Sequence, residues 1–284
     1  MSSAIRHRPL ALFGIEIDVD LNSELSDADK QELRRLFAVD GLLIFRNQSL
    51  SMDQQLDACS IFGPVLRDHI ENYIVSNVRD DGLLGNRELL FHNDIPFVPG
   101  PYLGGSLHAL AVADGASPTR FASGFGAYER LPQRLRDRID GLNALQVRER
   151  AVGRRTRLAD LQPLDNCAVH RVVGRQEGSG RPYIFVNLDM TGCIASLPDA
   201  ESDALLDELF AYLYDEGHVY DHVWRSGDLV IWDNLAVQHA RHAVGEGERT
   251  LQRVTIAKFG YWDQCPVDLP SFDRLLTANQ PAMG

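Results

Sequence analysis

The stretch from residue 227 to residue 256 constrains the fold of this chain more than any other part. Its sequence is GDLVIWDNLAVQHARHAVGEGERTLQRVTI. The apolar run at 229–232 is typical of a buried strand. Asp233-Asn234 ends that run, because both side chains can hydrogen-bond to their own backbone in a turn. A further strand is expected at 251–259, so the stretch predicts strands of a rigid sheet joined by short turns.

Two polar side chains in this stretch can face one cavity. His239 begins an extended piece after the first turn, and Arg249 follows the glycine-containing turn at 245–247. A histidine and an arginine on neighbouring strands could bind a metal ion and an anionic co-substrate. A metal site also requires further ligands upstream in the chain.

The sequence FHND at 91–94 supplies candidate upstream ligands. Residues two apart in an extended segment project from the same face, so His92 and Asp94 can contact one ion. Together with His239 they give two imidazoles and one carboxylate, a set that suits non-haem Fe(II) oxygenases with open coordination positions. His-x-Asp alone is also common in ordinary polar loops. The prediction therefore depends on the order of His-x-Asp, a long insert, the later histidine and Arg249.

The rest of the chain predicts a mainly β fold with flanking helices. Its 284 residues are 44% apolar, which is enough for one large core. Strands and helices do not alternate regularly, so a β-sandwich or jelly roll is favoured over a doubly wound parallel sheet. We expect a single domain over residues 1–284, with inserts or lids at about 66–91 and 143–181 in which 79–91 and 143–181 are loops. Strands are expected at 10–20, 42–45, 73–78, 103–112, 119–123 and 183–186, and helices at 26–41, 51–63, 128–142 and 198–214.

Composition narrows the class of partner. The formal net charge of −12 argues against nucleic acid, which needs a basic face. The four cysteines show no C-x-x-C spacing, which argues against a zinc knuckle or a dithiol redox motif. No signal peptide is recognisable, and no run approaches the roughly 20 apolar residues that a membrane span needs. We expect a soluble, cytoplasmic protein that acts on a small molecule.

Taken in order, these motifs resemble the TauD/TfdA family of Fe(II)/2-oxoglutarate-dependent dioxygenases. FHND resembles the family's Trp-His-x-Asp, with phenylalanine in place of tryptophan. WDNLAVQH at 232–239 resembles its Trp-Asp-Asn-x-x-x-x-His, and RTLQR at 249–253 resembles its Arg-x-x-x-Arg strand. The resemblance covers roughly residues 10–260 and implies a double-stranded β-helix core, a cupin-like jelly roll. Weaker similarities lie at 41–48, 62–63, 127–129 and 183–187.

The resemblance implies roles for five residues. His92, Asp94 and His239 would bind Fe(II). Arg249 would pair with the distal carboxylate of 2-oxoglutarate, which suits a planar guanidinium because it binds a carboxylate bidentately. Thr119, 27 residues after His92, matches the family threonine that helps to hold this carboxylate. The turn before it is Ala-Ser-Pro, whereas the family usually has Gly-Gly-Asp/Glu.

Four further residues have more than one interpretation. Arg253 would share a face with Arg249, and it would either lie near the co-substrate and substrate or form a structural ion pair. Asn77, Phe97 and Arg253 are candidate substrate contacts, although Phe97 also fits an ordinary core. His242 is a competing metal ligand, but the match to Trp-Asp-Asn favours the histidine three residues earlier.

The resemblance implies an enzyme that uses Fe(II), 2-oxoglutarate and O₂ and releases succinate and CO₂. We expect it to hydroxylate an unactivated C–H bond of a small, mostly hydrophobic organic acid or natural-product intermediate. One alternative is a taurine, sulfonate or aryloxyalkanoate dioxygenase whose product fragments after hydroxylation. Others are a non-catalytic 2-oxoglutarate- or metal-binding protein on this fold and a zinc hydrolase. Relatives are commonly dimers or tetramers, so a homodimer or homotetramer is expected.

Overall fold

The structure, a computed structural model, describes residues 5–67, 72–148, 151 and 153–265. Most of its regular elements are short strands. In chain order they are β1 (Arg6–Pro9), β2 (Ile15–Asp18), β3 (Leu42–Phe45), β4 (Ile74–Ser76), β5 (Leu83–Leu84), β6 (Leu89–His92), β7 (Gly104–Val112), β8 (Thr119–Ser123), β9 (Asn143–Val147), β10 (Cys167–Arg171), β11 (Val173–Arg175), β12 (Pro182–Ile184), β13 (Thr191–Ile194), β14 (Val219–His222), β15 (Leu229–Asp233), β16 (Val237–Arg241) and β17 (Arg249–Ile256).

Helices flank the strands. The first two begin after Ser26 and Ser51, and each serine accepts a hydrogen bond from a backbone N–H of the first turn in a capping box. No helix within the described ranges is long and apolar enough to cross a membrane. The helices are α1 (Asp27–Asp40), α2 (Met52–Cys59), α3 (Gly124–Arg130), α4 (Gln133–Ile139), α5 (Asp199–Leu213) and α6 (Tyr261–Gln264).

The larger sheet has eight strands in the spatial order β1-β2-β3-β15-β7-β17-β4-β5. The 229–232 run lies at its centre as part of β15, and alternate side chains point to opposite faces. Leu229 and Ile231 join the core beneath α1 and α2, whereas Val230 and Trp232 face the second sheet. The run is apolar throughout because both faces of this strand are covered.

The smaller sheet has four strands in the order β14-β8-β16-β6. It faces the larger sheet across a core in which the rings of Phe121 and Trp232 lie 5.8 Å apart. Leu107 and Val237 also pack in this core. Two facing sheets with helices outside are the architecture that the sequence predicts.

A second core lies beside the sandwich. It joins α3, α4 and α5 to the strands β9, β12 and β13, and Leu135, Ile139, Leu205 and Leu209 are fully buried in it. The arginine-rich part of the 143–181 segment is tied to α5. Arg157 pairs with Asp203 at 2.6 Å, and a second ion pair of 2.6 Å joins Arg155 to Asp207.

The structure corrects the two loop predictions. Residues 79–91 contain β5 and most of β6, and β6 completes the smaller sheet by pairing with β16. Residues 143–181 contain β9, β10 and β11, and β9 and β10 pair with each other. Apart from β9, which is buried after its first residue, these strands are short and partly exposed, so their sequences lack the clear alternation that identifies a half-buried strand. Residues 68–71 of the predicted first insert lie outside the described residues.

The helix predicted over 128–142 is also wrong, because the chain forms two helices there. Pro132 separates α3 from α4, and Leu131 before it is extended with ψ of 137°. A proline disfavours the helical conformation at the residue that precedes it. The four-residue spacing of leucine and isoleucine therefore continues across a break.

We expect Gly105→Ala to destabilise the sandwich. An added Cβ would lie 2.5 Å from Cζ2 of Trp232, which is 1% exposed and held between the sheets. Overpacking of this kind typically costs about 1–3 kcal/mol in the free energy of unfolding. Urea denaturation measures the change. Gly245→Ala is the control, because nothing lies within 4 Å of its added Cβ. Equal stability of the Gly105→Ala and Gly245→Ala proteins would contradict the close approach.

Candidate metal centre and adjoining anion pocket

Three side chains from the two predicted motifs converge at one point. His92 ends β6 and His239 lies within β16, and these two residues are direct partners across the antiparallel pair. Residues opposite each other project to the same side of a sheet, and the two imidazole centroids lie 4.2 Å apart. Oδ1 of Asp94 lies 3.9 Å from Nε2 of His92 and 4.0 Å from Nε2 of His239.

These three residues fit a metal ion. Each offers one ligand atom, and the three atoms lie within 4.8 Å of one another. Nδ1 of His92 lies 2.7 Å from the carbonyl oxygen of Leu90. A carbonyl only accepts, so Nδ1 carries the proton and Nε2 presents its lone pair. Burial, with the neighbouring His92 charge, lowers the pKa of His239 to about 3, which keeps its imidazole neutral.

The Trp-Asp-Asn turn positions the carboxylate ligand. Oδ1 of Asn234 accepts a 2.7 Å hydrogen bond from the backbone N–H of Asp94, and its Nδ2 donates to the carbonyls of Asp94 and Tyr102. Asn93 donates in return to the carbonyl of Asn234 at 2.6 Å. Ile95 has φ of 40°, a strained value for a β-branched residue. The amide of Asn234 therefore holds the backbone on which Asp94 lies.

A buried polar network supports this segment from the side of the second core. Nδ2 of Asn187 donates to Oδ1 of Asn93 at 3.3 Å, and Thr191 donates to Gln146 at 3.0 Å. Thr191 also accepts from the backbone N–H of Asn187. Sequence reasoning noted only a weak family similarity at 183–187, and the network gives that segment a structural purpose.

Arg249 is a buried cation at the opposite end of the cavity. It is 2% exposed, and no carboxylate of a described residue lies within salt-bridge distance. Its Nη2 donates to Oγ1 of Thr119 at 2.9 Å and its Nε to the carbonyl of Ser117 at 3.0 Å. Burial, with the nearby charge of Arg241, lowers the pKa of Arg249 to about 9. An uncompensated buried guanidinium favours binding of an anion.

The hydroxyl of Thr119 is oriented by two donors. It accepts from Arg249 and also from Nε1 of Trp224 at 3.0 Å. A hydroxyl oxygen has two lone pairs, so its own hydrogen remains free to be donated to an anion. Trp224 was not singled out from the sequence. The unusual turn before Thr119 still serves the site, because the carbonyl of Ser117 orients Arg249.

Arg253 forms an ion pair and also lines the cavity, so both of its interpretations remain compatible with the structure. Its Nη2 donates to Oδ2 of Asp94 at 2.8 Å, and its Nη1 donates to the hydroxyl of Tyr73 at 2.7 Å. Burial alone would raise the pKa of Asp94, but the charge of Arg253 and the hydrogen bond that it donates hold the pKa below its usual value. Arg253 therefore keeps the carboxylate ligand ionised.

Asn77 and Phe97, the other predicted substrate contacts, do not line the cavity. The amide of Asn77 donates to the carbonyl of Gly247 at 2.9 Å and accepts from the backbone N–H of Arg249, so it holds the β16–β17 turn. Phe97 is 5% exposed and packs in a separate apolar cluster. His242 lies on the surface beside Glu88, 3.7 Å away.

The cavity combines apolar walls with basic groups. Val75, Leu84, Leu89 and Leu107 contribute aliphatic surface. Arg241, which the sequence analysis did not single out, lines the same space as His239, Thr119, Arg249 and Arg253. Its position two residues after a metal-ligand candidate was the signal that could have found it.

Comparison with known proteins identifies the family. The family model described as "Taurine catabolism dioxygenase TauD, TfdA family" matches residues 6–255. The chain belongs to the TauD/TfdA family. One relative is the alpha-ketoglutarate-dependent 2,4-dichlorophenoxyacetate dioxygenase of Cupriavidus pinatubonensis, 31% identical over 279 residues that cover 87% of this chain and 94% of the relative. Another is pentalenolactone F synthase of Streptomyces arenae, 31% identical over 210 residues that cover 68% and 70%.

Solved structures share the fold of this chain. AAD-2 in complex with Mn(II) and N-oxalylglycine gives a TM-score of 0.78 at 23% identity, covering 91% of this chain and 98% of that chain. A taurine dioxygenase from Burkholderia xenovorans gives 0.74 at 23% identity, covering 90% and 91%. The predicted mainly β fold with a jelly-roll core is confirmed. The protein is a 2-oxoglutarate-dependent dioxygenase with Fe(II) and O₂, so the predicted enzyme class and cofactors are also confirmed.

We expect Asn234→Ala to weaken Fe(II) binding in this dioxygenase. Loss of the amide leaves the backbone of Asp94 without its hydrogen bonds, and loss of a group that orients ligands typically costs about 10–100-fold in metal affinity. Anaerobic Fe(II) titration measures the affinity. Asn22→Ala is the control, because the amide of Asn22 bonds only an exposed carbonyl remote from the site. Unchanged affinity in the Asn234 variant would show that Asp94 does not depend on this turn.

Proposed function

We propose that His92, Asp94 and His239 hold the ferrous ion, and that Arg249 and Thr119 bind the distal carboxylate of 2-oxoglutarate. The enzyme then hydroxylates a C–H bond of a small, mainly hydrophobic organic acid. One observation supports the whole proposal. A cavity lined by His239 of the two-histidine, one-carboxylate triad is also lined by a buried arginine that has no carboxylate partner among the described residues.

The protein's own groups position the reactants and exclude water. When bound, the ferrous ion couples oxidative decarboxylation of 2-oxoglutarate by O₂ to oxidation of the substrate, giving succinate, CO₂ and a hydroxylated product. Arg249 and the hydroxyl of Thr119 fix the distal end of the co-substrate, which sets its direction toward the triad. Val75, Leu84 and Leu107 provide an apolar wall that keeps water from the reacting carbon.

The preference for an apolar acid has two supports. The cavity walls include Val75, Leu84, Leu89 and Leu107, and the charged side chains in the described lining are arginines. The relatives named above include a pentalenolactone F synthase and a 2,4-dichlorophenoxyacetate dioxygenase. Similarity to the 2,4-dichlorophenoxyacetate dioxygenase favours the aryloxyalkanoate alternative, in which hydroxylation beside an ether oxygen makes the product fragment. Arg253 is paired with Asp94, which leaves it less available as a cationic clamp for either a sulfonate or an aryloxy acid.

The assignment of metal and co-substrate residues predicts a specific optical result. Anaerobic addition of Fe(II) and 2-oxoglutarate should give the visible charge-transfer band of the chelate. His92→Ala and His239→Ala should abolish the band, because each removes one ligand. His242→Ala is the matched control and should keep it, because this histidine is exposed. A band that survives loss of His92 or His239 would refute the ligand assignment.

Arg249→Ala should weaken 2-oxoglutarate binding. Removal of one partner of a buried, charged hydrogen-bonded pair costs about 2–5 kcal/mol. Titration of the same optical band with 2-oxoglutarate gives the affinity. Arg225→Ala is the control, since this exposed arginine lies outside the cavity. Unchanged affinity would show that another group binds the distal carboxylate.

Substrate-dependent succinate formation tests the substrate class. We expect turnover with apolar carboxylic acids, including aryloxyacetates, because the aliphatic walls bind their hydrocarbon parts. Taurine and other small sulfonates serve as the comparison set. Fragmentation of an aryloxyacetate to a phenol would identify the cleaving alternative, and turnover confined to sulfonates would refute the preference for apolar acids.

A further inference from the structure

Arg241 is a second buried cation in the cavity without an acidic partner. It is 4% exposed, and no carboxylate of a described residue lies within salt-bridge distance. It follows His239 by two residues on β16, so both side chains point to the same face at roughly 7 Å spacing along the strand. A buried charge of this kind is costly unless a ligand or a partner compensates it.

The register of the smaller sheet places Arg241 beside Thr119. His239 is opposite Phe121 and Ala240 is opposite Arg120, and both strands extend one residue further, to Thr119 and Arg241, which we infer to be the next opposite pair. Residues in such opposite positions have Cα atoms about 5 Å apart. Thr119 bonds Arg249 directly, so the two buried guanidiniums flank one hydroxyl. They repel each other, and an anion between them relieves the repulsion.

The hydrogen bonds of Arg241 leave one edge of its guanidinium available. Nε donates to the carbonyl of Arg87 at 3.2 Å. Nη2 donates to the carbonyls of Leu84, Gly85 and Arg87 at 3.1, 3.2 and 2.7 Å. Nη1 has no hydrogen-bond partner among the described residues, although the whole side chain is buried and lines the cavity. One edge thus holds the turn between β5 and β6, and the other faces the site.

The turn that Arg241 holds is part of the cavity wall. Leu84 and Leu89 flank the turn, and both line the space around the triad. Leu84 has φ of 65°, a left-handed conformation that is rare for leucine and needs support from its surroundings. The hydrogen bond from Arg241 to its carbonyl gives that support.

We propose that Arg241 is a second anchor for the distal carboxylate of 2-oxoglutarate and thereby couples co-substrate binding to closure of the 84–87 turn. The inference rests on the proposed function, in which that carboxylate lies between Arg249 and Thr119. Nη1 of Arg241 donates to the carboxylate, while Nε and Nη2 keep the turn over the cavity. Co-substrate binding therefore fixes the Arg241 side chain and orders the wall against which the substrate packs.

A pair of 2-oxo acids tests the contact without catalysis. 2-Oxopentanoate has the same chain length as 2-oxoglutarate but lacks the distal carboxylate. Anaerobic titration of the Fe(II) protein, followed by the charge-transfer band, gives the affinity of each. We expect Arg241→Gln to weaken 2-oxoglutarate by at least about tenfold while leaving 2-oxopentanoate within about twofold. Arg241→Lys keeps the positive charge but lacks the planar guanidinium that binds a carboxylate bidentately. Its affinity for 2-oxoglutarate should therefore lie between those of Arg241→Gln and the wild type.

A control variant and the comparison of the two acids distinguish the possible outcomes. Arg225→Gln removes an exposed arginine that lies outside the cavity and should change neither affinity. Equal weakening of both acids by Arg241→Gln would show that Arg241 supports only the turn, and it would overturn the proposal. Unchanged affinity for both acids would also overturn it. A wild-type protein that forms no chelate band with 2-oxoglutarate, or an Arg249→Ala protein that binds it normally, would instead refute the proposed function.

Hydrogen exchange at the turn tests the coupling. 2-Oxoglutarate should slow amide exchange at 84–90 in the Fe(II) protein, because the fixed guanidinium holds the carbonyls of the turn. 2-Oxopentanoate should not slow it, since it offers Arg241 no carboxylate. Protection of the turn by both acids alike would show that closure does not depend on this residue.

Discussion

The candidate metal site depends on the side-chain amide of Asn234. The register of β6 and β16 is sufficient to place His92 opposite His239. Asp94 lies beyond the end of β6, where no ladder fixes the backbone. The amide of Asn234 replaces that ladder by bonding both the N–H and the carbonyl of Asp94, and it is fully buried. A buried amide that loses its partners costs about 1–3 kcal/mol, so this arrangement is strongly preferred over a displaced loop.

Charge is unevenly distributed along the cavity. At the triad, Arg253 compensates Asp94, which makes a buried carboxylate tolerable and keeps it ionised. At the other end, Arg249 and Arg241 have no described acidic neighbour and lie close enough for Arg241 to lower the pKa of Arg249. Two buried positive charges without an opposite charge are unfavourable for folding, and they lie at the end of the cavity where we propose that the dianionic 2-oxoglutarate binds. An uncompensated buried charge of this kind reduces stability, and such local exceptions are typical of functional sites.

Much of the fold and the triad could be predicted from the sequence, because both depend on local patterns. Strand periodicity and short apolar runs indicate a β-sandwich, and His-x-Asp places two ligands on one face by spacing alone. The side-chain contacts that complete the site join residues far apart in the chain, such as Asn234 with Asp94 or Trp224 with Thr119. The spacing of residue types along the chain does not indicate these contacts. The break at Pro132 was visible in the sequence, but the regular leucine spacing around it outweighed the proline.

The two sheets contribute different parts of the chemistry. The smaller sheet supplies the histidines and Thr119, whereas Arg249 and Arg253 come from β17 of the larger sheet. The positions of the two histidines are fixed by strand register, and a one-residue slip would turn them out of the cavity. The β5–β6 turn is held by side-chain hydrogen bonds from Arg241 and also by backbone bonds, such as the one from the N–H of Val244 to the carbonyl of Asn86. A change in this turn would therefore alter the cavity wall that Leu84 and Leu89 form while the register of the two histidines is kept.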